Sequence, residues 1–236
     1  MDSDVRHRLV AFGSTRRKHT DVEDDAQVRA LLESGAENVC IVAKAHLGQV
    51  EAVLGATRSE AIAMVEDTVR YLSSQGVSVA VDLEHYYDGA AEDPGFAKDL
   101  LRACAESGAM AVVLCDTNGG SLPWDIAEAT SLVVSDPNIS LHGVTVGVHC
   151  HDDMGMAVGN SLSAVRAGAG MVQGCVNGVG ERTGNANLIT VMGALGLRMG
   201  TSLSRGDDLK GLTSLSRYVD EVLNRAPDAG QAFVGR

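Results

Sequence analysis

Hydrophobic and polar positions recur along this chain in one order: an amphipathic stretch, a glycine, then a short aliphatic run. Leu31-Leu32-Glu33-Ser34-Gly35-Ala36 precedes an apolar run at 39–42, and Tyr71 to Gly76 precedes one at 77–81. Cys104-Ala105-Glu106-Ser107-Gly108-Ala109 precedes a run at 110–114, and Val165-Arg166-Ala167-Gly168-Ala169 one at 171–175. Further runs fit 144–148 and 9–12, which gives six predicted strands. Short runs rich in β-branched residues, joined by helices, predict parallel strands covered on both faces.

Polar residues gather where these strands end: Ser14-Thr15-Arg16, Lys44 and His46, Glu84-His85, Asp116-Thr117-Asn118, His149 and His151, then Asn177. Functional groups at the carboxyl ends of nearly every strand are the pattern of a TIM (β/α)8-type barrel, whereas a doubly wound sheet concentrates them at one switch point. A whole barrel takes eight strands and about 250 residues. The α/β pattern therefore corresponds to strands 3 to 8 of such a barrel. A helix at 186–199 closes the pattern, and 207–224 reads as an amphipathic helix opening a further segment. The expected division is a partial barrel over 1–200 and the start of a C-terminal helical segment over 201–236.

Composition narrows the functional classes. The 236 residues are 45% hydrophobic with 27 Gly and 4 Pro, which fits a folded α/β protein with many short loops. A net charge of -12 opposes general nucleic-acid binding, which needs a concentrated basic face. The one dense basic run, Arg16-Arg17-Lys18, reads as a solvated loop. No apolar run approaches the ~18 residues of a membrane span, and the charged N-terminal stretch lacks the apolar centre of a secretory signal. Cys40, Cys104, Cys115, Cys150 and Cys175 are odd in number, have no Cys-x-x-Cys spacing and lie in apolar surroundings; they are expected to be buried free thiols in a reducing cytoplasm.

The most chemical segment is Gly147-Val148-His149-Cys150-His151-Asp152-Asp153. Alternate residues of a strand share a face, so His149 and His151 should project together and Cys150 away from them. Paired imidazoles with amide or carboxylate oxygens suit Zn, Mn, Co or Fe. Two histidines closing hydrogen bonds at a strand end would give the same spacing.

Phe12-Gly13-Ser14-Thr15-Arg16-Arg17-Lys18, Leu83-Glu84-His85-Tyr86-Tyr87-Asp88-Gly89, Leu114-Cys115-Asp116-Thr117-Asn118-Gly119-Gly120, the His-x-His strand and Gly180-Glu181-Arg182-Thr183-Gly184-Asn185 together resemble the citramalate synthase family. That family belongs to the metal-dependent acyl-CoA:2-oxoacid Claisen-condensing group, with the 2-isopropylmalate and homocitrate synthases. The resemblance implies condensation of acetyl-CoA with pyruvate to citramalate and CoA, in isoleucine biosynthesis, by a cytoplasmic homodimer. It implies a divalent metal (Mn, Mg, Zn or Co) held by His149, His151 and Asn185. Glu84 matches a catalytic carboxylate, and Thr117 a hydroxyl that binds the pyruvate carboxylate. Asp116 and Asn118 are expected to hold their loop, and Glu181 with Arg182 to pair and fix the loop of Asn185.

The rival enzyme of the group is 2-isopropylmalate synthase; a rival of another class is an inactive fragment or pairing partner of a full-length homologue. Two parts of the family's machinery have no match: an Arg-Asp pair on the first barrel strand and a His from the segment after the barrel. Arg16 belongs to the third strand's motif and is no substitute. A chain cut short at both ends would expose two strand edges, so poor solubility or obligatory association is expected.

Overall fold

The structure is a computed structural model describing residues 7–203 and 206–235. Six parallel strands form one sheet in sequential order: β1 (Val10–Ser14), β2 (Asn38–Lys44), β3 (Ser78–Glu84), β4 (Ala111–Asp116), β5 (Thr145–Cys150) and β6 (Met171–Gln173). Each strand pairs with the next, the connectivity of a singly wound barrel wall and not of a doubly wound sheet. Among the described residues β1 and β6 do not pair, so the wall is open.

The crossovers are helical, α1 (Ala26–Glu33), α2 (Arg58–Ser74), α3 (Tyr86–Glu92), α4 (Pro94–Glu106), α5 (Pro123–Val134), α6 (Pro137–Leu141) and α7 (Ala157–Arg166), and α8 (Leu188–Leu197) follows the last strand. Their starts are set by side chains that accept free backbone N–H groups: Asp25 for α1, Thr57 for α2, Asp93 for α4 and Asn187 for α8. Gly35, Gly76, Gly108 and Gly168 stop the helices before β2, β3, β4 and β6 in the left-handed conformation, at φ +69°, +81°, +96° and +112°. After α8 comes α9 (Leu212–Val222), shorter than the sequence pattern predicts because 206–211 forms a 3-10 turn up to Gly211. The charged positions 2, 4 and 6 lie outside the described residues.

Two layers of apolar packing result. The main core lies between sheet and helices and holds Ile41, Val81, Leu83, Val112, Leu114 and Val148 against Phe96, Leu100 and Ile126. The opposite face of the sheet, the barrel interior, has a floor of small buried residues, Cys40, Ala80 and Ala111, with Met171 packed on them. A third cluster joins Ile189 of α8 to Leu212 of α9 and Val234. The five cysteines are free; Cys175 alone among them is only partly buried. No described helix is long and apolar enough to cross a membrane.

The basic run departs from expectation. Arg16 is buried, at 7% exposure, and pairs with Glu60 at 3.0 Å and Asp67 at 2.8 Å on α2. Only Arg17 and Lys18 stand in solvent, because the turn after β1 folds Arg16 back under α2, where its own N–H also meets Thr68 Oγ1.

Candidate metal centre

Three adjacent strand ends, β3, β4 and β5, carry four of the five predicted residues, and the loop after β6 carries Asn185. Glu84 ends β3 directly opposite Lys44 of β2, and the two side chains form a half-buried ion pair. The next residue, His85, takes the left-handed conformation at φ +60° and donates its backbone N–H to Thr117 Oγ1 at 2.8 Å. Thr117, just past β4, is thereby fixed as an acceptor on one side while its own O–H stays available to donate. His85 stacks edge-on with His46, whose Nε2 meets Glu92 at 3.0 Å, and burial lowers the pKa of His85.

Asp116 and Asn118 serve the loop, as predicted. Asp116 is buried on the helix side, accepts from Ser121 Oγ at 3.0 Å, and is reached by Asn160 Nδ2 of α7 at 3.4 Å. Asn118 Nδ2 donates to Asp88 at 2.7 Å.

On β5 the alternation holds. The rings of His149 and His151 lie together, centroids 5.2 Å apart, while Cys150 is buried in the core on the helix side. Burial, and the neighbouring His149, lower the pKa of His151, which favours the neutral imidazole a metal requires. His149 Nδ1 meets Gln173 Oε1 at 2.8 Å.

Asn185 reaches this pair through the loop after β6. A backbone bridge joins His151 to Asn185, and Asn185 Nδ2 donates to Cys175 Sγ at 3.3 Å and Val179 O at 3.4 Å. With its amide nitrogen so occupied, Oδ1 is its remaining acceptor. The loop tolerates little side-chain bulk: a Cβ at Gly180 would collide with the Asn185 amide, and one at Gly184, at φ +113°, would strike the Gly178 carbonyl. Arg182 is also left-handed, at φ +55°. It grips Asp153 with two bonds of 2.7 and 2.8 Å and the Thr117 carbonyl at 2.8 Å. The expected Glu181–Arg182 pair is therefore secondary: Glu181 lies 3.8 Å off and is exposed. The carboxylate holding the loop is Asp153, whose pKa is lowered by its bonds to Arg182.

Among the described residues no three His, Cys, Asp or Glu side chains cluster for a metal; the third donor here is an amide. Two observations fit the residues to a divalent ion. His151 Nδ1 and Asn185 Oδ1 are buried without a hydrogen-bond partner in the structure, an arrangement that is costly unless something meets them. The donor set of two imidazoles and one amide oxygen also suits borderline divalent ions and leaves positions for substrate oxygens.

Sequence reasoning missed Gln173, Asp82 and the Arg182–Asp153 clamp. Asp82 had a signal, since it is a charge inside the apolar run of β3. Arg182 and Asp153 are distant in sequence, and nothing local pairs them.

Comparison with known proteins extends this geometry. Residues 9–219 match the family profile described as HMGL-like. The chain is 46% identical over 233 residues to the (R)-citramalate synthase of Streptomyces coelicolor, covering 98% of this chain and 43% of that protein. It is 44% identical to the (R)-citramalate synthase of Synechocystis sp., covering 97% and 42%. The hydroxymethylglutaryl-CoA lyase structure from Pseudomonas aeruginosa superposes with a TM-score of 0.73 at 21% identity, covering 92% of this chain and 70% of that one, which shows a shared fold. The chain spans less than half the length of the curated relatives it matches.

Proposed function

From the premise that the chain belongs to the HMGL-like family, we propose that its site serves an acyltransferase making (R)-citramalate from acetyl-CoA and pyruvate. The reading is supported chiefly by the convergence of Glu84, Thr117, His149, His151 and Asn185 at neighbouring strand ends, in a chain so similar to curated (R)-citramalate synthases. The acetyl methyl loses a proton and forms a carbon–carbon bond to the keto carbon of pyruvate. The keto oxygen gains a proton, and water then cleaves the thioester to release citramalate and CoA.

His149, His151 and Asn185 would hold the divalent metal ion (Mn, Mg, Zn or Co). Bound there, the ion supplies Lewis-acid polarisation of the keto group. Thr117 donates its free O–H to the pyruvate carboxylate, its oxygen being held by the His85 N–H. Glu84 takes the methyl proton or orients the attacking water, with Lys44 fixing its carboxylate. Arg182, Asp153 and the tight glycines hold Thr117 and Asn185 at a constant separation. Residues 1–200 act as the catalytic unit and 201–236 as the start of a helical segment; the Asn177 side chain, bonded to Asp220 and the Ser216 carbonyl, ties that segment to the site loop. The working protein is read as a cytoplasmic homodimer.

The test is mass detection of product from acetyl-CoA with pyruvate, 2-oxobutyrate, 2-oxoisovalerate or 2-oxoglutarate in parallel, in the presence of Mn or Mg. Pyruvate-selective turnover abolished in His149→Ala supports the reading. Preferential use of 2-oxoisovalerate replaces it with a 2-isopropylmalate synthase, and product formation untouched by His149→Ala overturns the site.

A further inference from the structure

His149 is held by a relay that crosses the barrel interior. Gln173 sits opposite His149 in the β5–β6 register, and its Oε1 lies 2.8 Å from His149 Nδ1. The other end of the same amide, Nε2, lies 2.8 Å from Asp82 Oδ1. Asp82 belongs to β3, which is not a neighbour of β6 in the sheet, so this bond spans the lumen and not a strand ladder. It can do so because the floor beneath is built of Cys40, Ala80 and Ala111, which leave room for two polar side chains to meet.

The chemistry of the chain has one direction. Asp82 Oδ1 accepts, so the amino end of the Gln173 amide points to Asp82 and the carbonyl end to His149. A carbonyl oxygen accepts only, so His149 Nδ1 must carry a proton, and the neutral form of the ring then has its lone pair on Nε2. Asp82 is only 6% exposed, and burial raises its pKa; the cost of a buried carboxyl inside an apolar strand is offset in part by its hydrogen bonds with Cys40 and Gln173.

We propose that Gln173 and Asp82 are positioning residues that, acting through His149, fix the tautomer and ring plane presenting Nε2 to a divalent cation. The inference rests on the reading of His149 as a ligand. Asp82 also shares a face of β3 with Glu84 two residues on, so the anchor of the relay and the proposed catalytic carboxylate come from one strand.

Two readouts test it on the purified chain. The first needs no metal: long-range proton–nitrogen correlation spectra with labelled histidine report which nitrogen of His149 is protonated. The expected result is Nδ1–H in the unsubstituted chain and in Gln173→Glu, which keeps an acceptor, and a mixture of tautomers in Gln173→Leu and Asp82→Ala. A His149 protonated at Nε2 in the unsubstituted chain overturns the proposal without any variant. The second readout is cobalt(II) titration followed by its visible absorption. Gln173→Leu and Asp82→Ala should weaken binding about 10–100-fold, the usual effect of losing a supporting partner, with thermal unfolding showing that each variant is folded. Unchanged cobalt affinity in folded Gln173→Leu, while His149→Ala is impaired, rejects the relay. Cobalt affinity unchanged in His149→Ala instead rejects the ligand reading, whatever the tautomer.

Discussion

Thr117 shows how a single side chain is prepared by its neighbours. Its oxygen is bound by the His85 N–H at 2.8 Å, which leaves one donor and one direction for it. Thr117→Val removes that donor and strands a backbone N–H. A hydrogen bond to a charged group contributes ~1.5–3 kcal/mol, so the KM for pyruvate should rise by about 10–100-fold with Thr117→Ser close to the parent. An unchanged KM in Thr117→Val removes Thr117 from the substrate site. His85 allows a prediction in pH. Burial lowers its pKa below the ordinary 6.5, so the unfolded chain takes up a proton at a higher pH than the folded one. Its contribution is therefore nil well above 6.5 and becomes a growing destabilisation as pH falls through 6.5 towards the lowered value. Urea midpoints should fall between about pH 7.5 and 5.5, and His85→Asn should flatten that slope, since Asn tolerates the left-handed backbone at φ +60°. An identical slope in the variant would falsify the assignment.

At the scale of elements, the strand ends were legible and the loops between them were not. All six predicted strands exist, because short β-branched runs, most of them preceded by a helix-stopping glycine, leave little other choice. Five of them extend two or three residues further toward their carboxyl ends than the apolar runs indicate, since residues such as Lys44, Glu84 and Asp116 still belong to the ladder although their side chains are polar. β6 is instead shorter, ending at Gln173, because the chain at Gly174 presses against the Ala186 carbonyl and Cys175 bonds to that carbonyl instead of continuing the strand. His149 and His151 were placed by period alone. The partners of Asn185 depend on a fold of the 177–185 loop that no periodicity encodes. That loop carries its own prediction: Arg182→Gln loses the double grip on Asp153 and the bond to Thr117 O. Hydrogen exchange should become severalfold faster at the Asn185 amide, which bonds to Gly178 O at 3.1 Å, while amides of β3 and β4 stay protected. Equal exchange at Asn185 would show that the glycine contacts alone hold the loop.

At the scale of the molecule, the open wall decides behaviour in solution. β1 and β6 each present an unpaired edge among the described residues, and on β1 Val10 is 54% and Phe12 67% exposed. Both point to the interior side of the sheet, since Phe12 is in register with Cys40 of the lumen floor. A parallel edge with exposed apolar side chains templates the addition of another strand, and the net charge of -12 opposes association only through screened, long-range repulsion. The contact forces act at the edge itself, so they should prevail at ordinary ionic strength. The 236-residue chain is therefore expected to self-associate in sedimentation velocity, increasingly so as salt rises. Val10→Lys with Phe12→Lys places two charges on the β1 edge and should shift the distribution toward monomer without loss of the far-ultraviolet dichroism of the sheet. A parent chain that sediments as a monomer at high salt shows that the edges are covered from within. A doubly substituted chain that still associates locates the contact on β6 or on the exposed face of α9, where Tyr218 and Val222 stand in solvent.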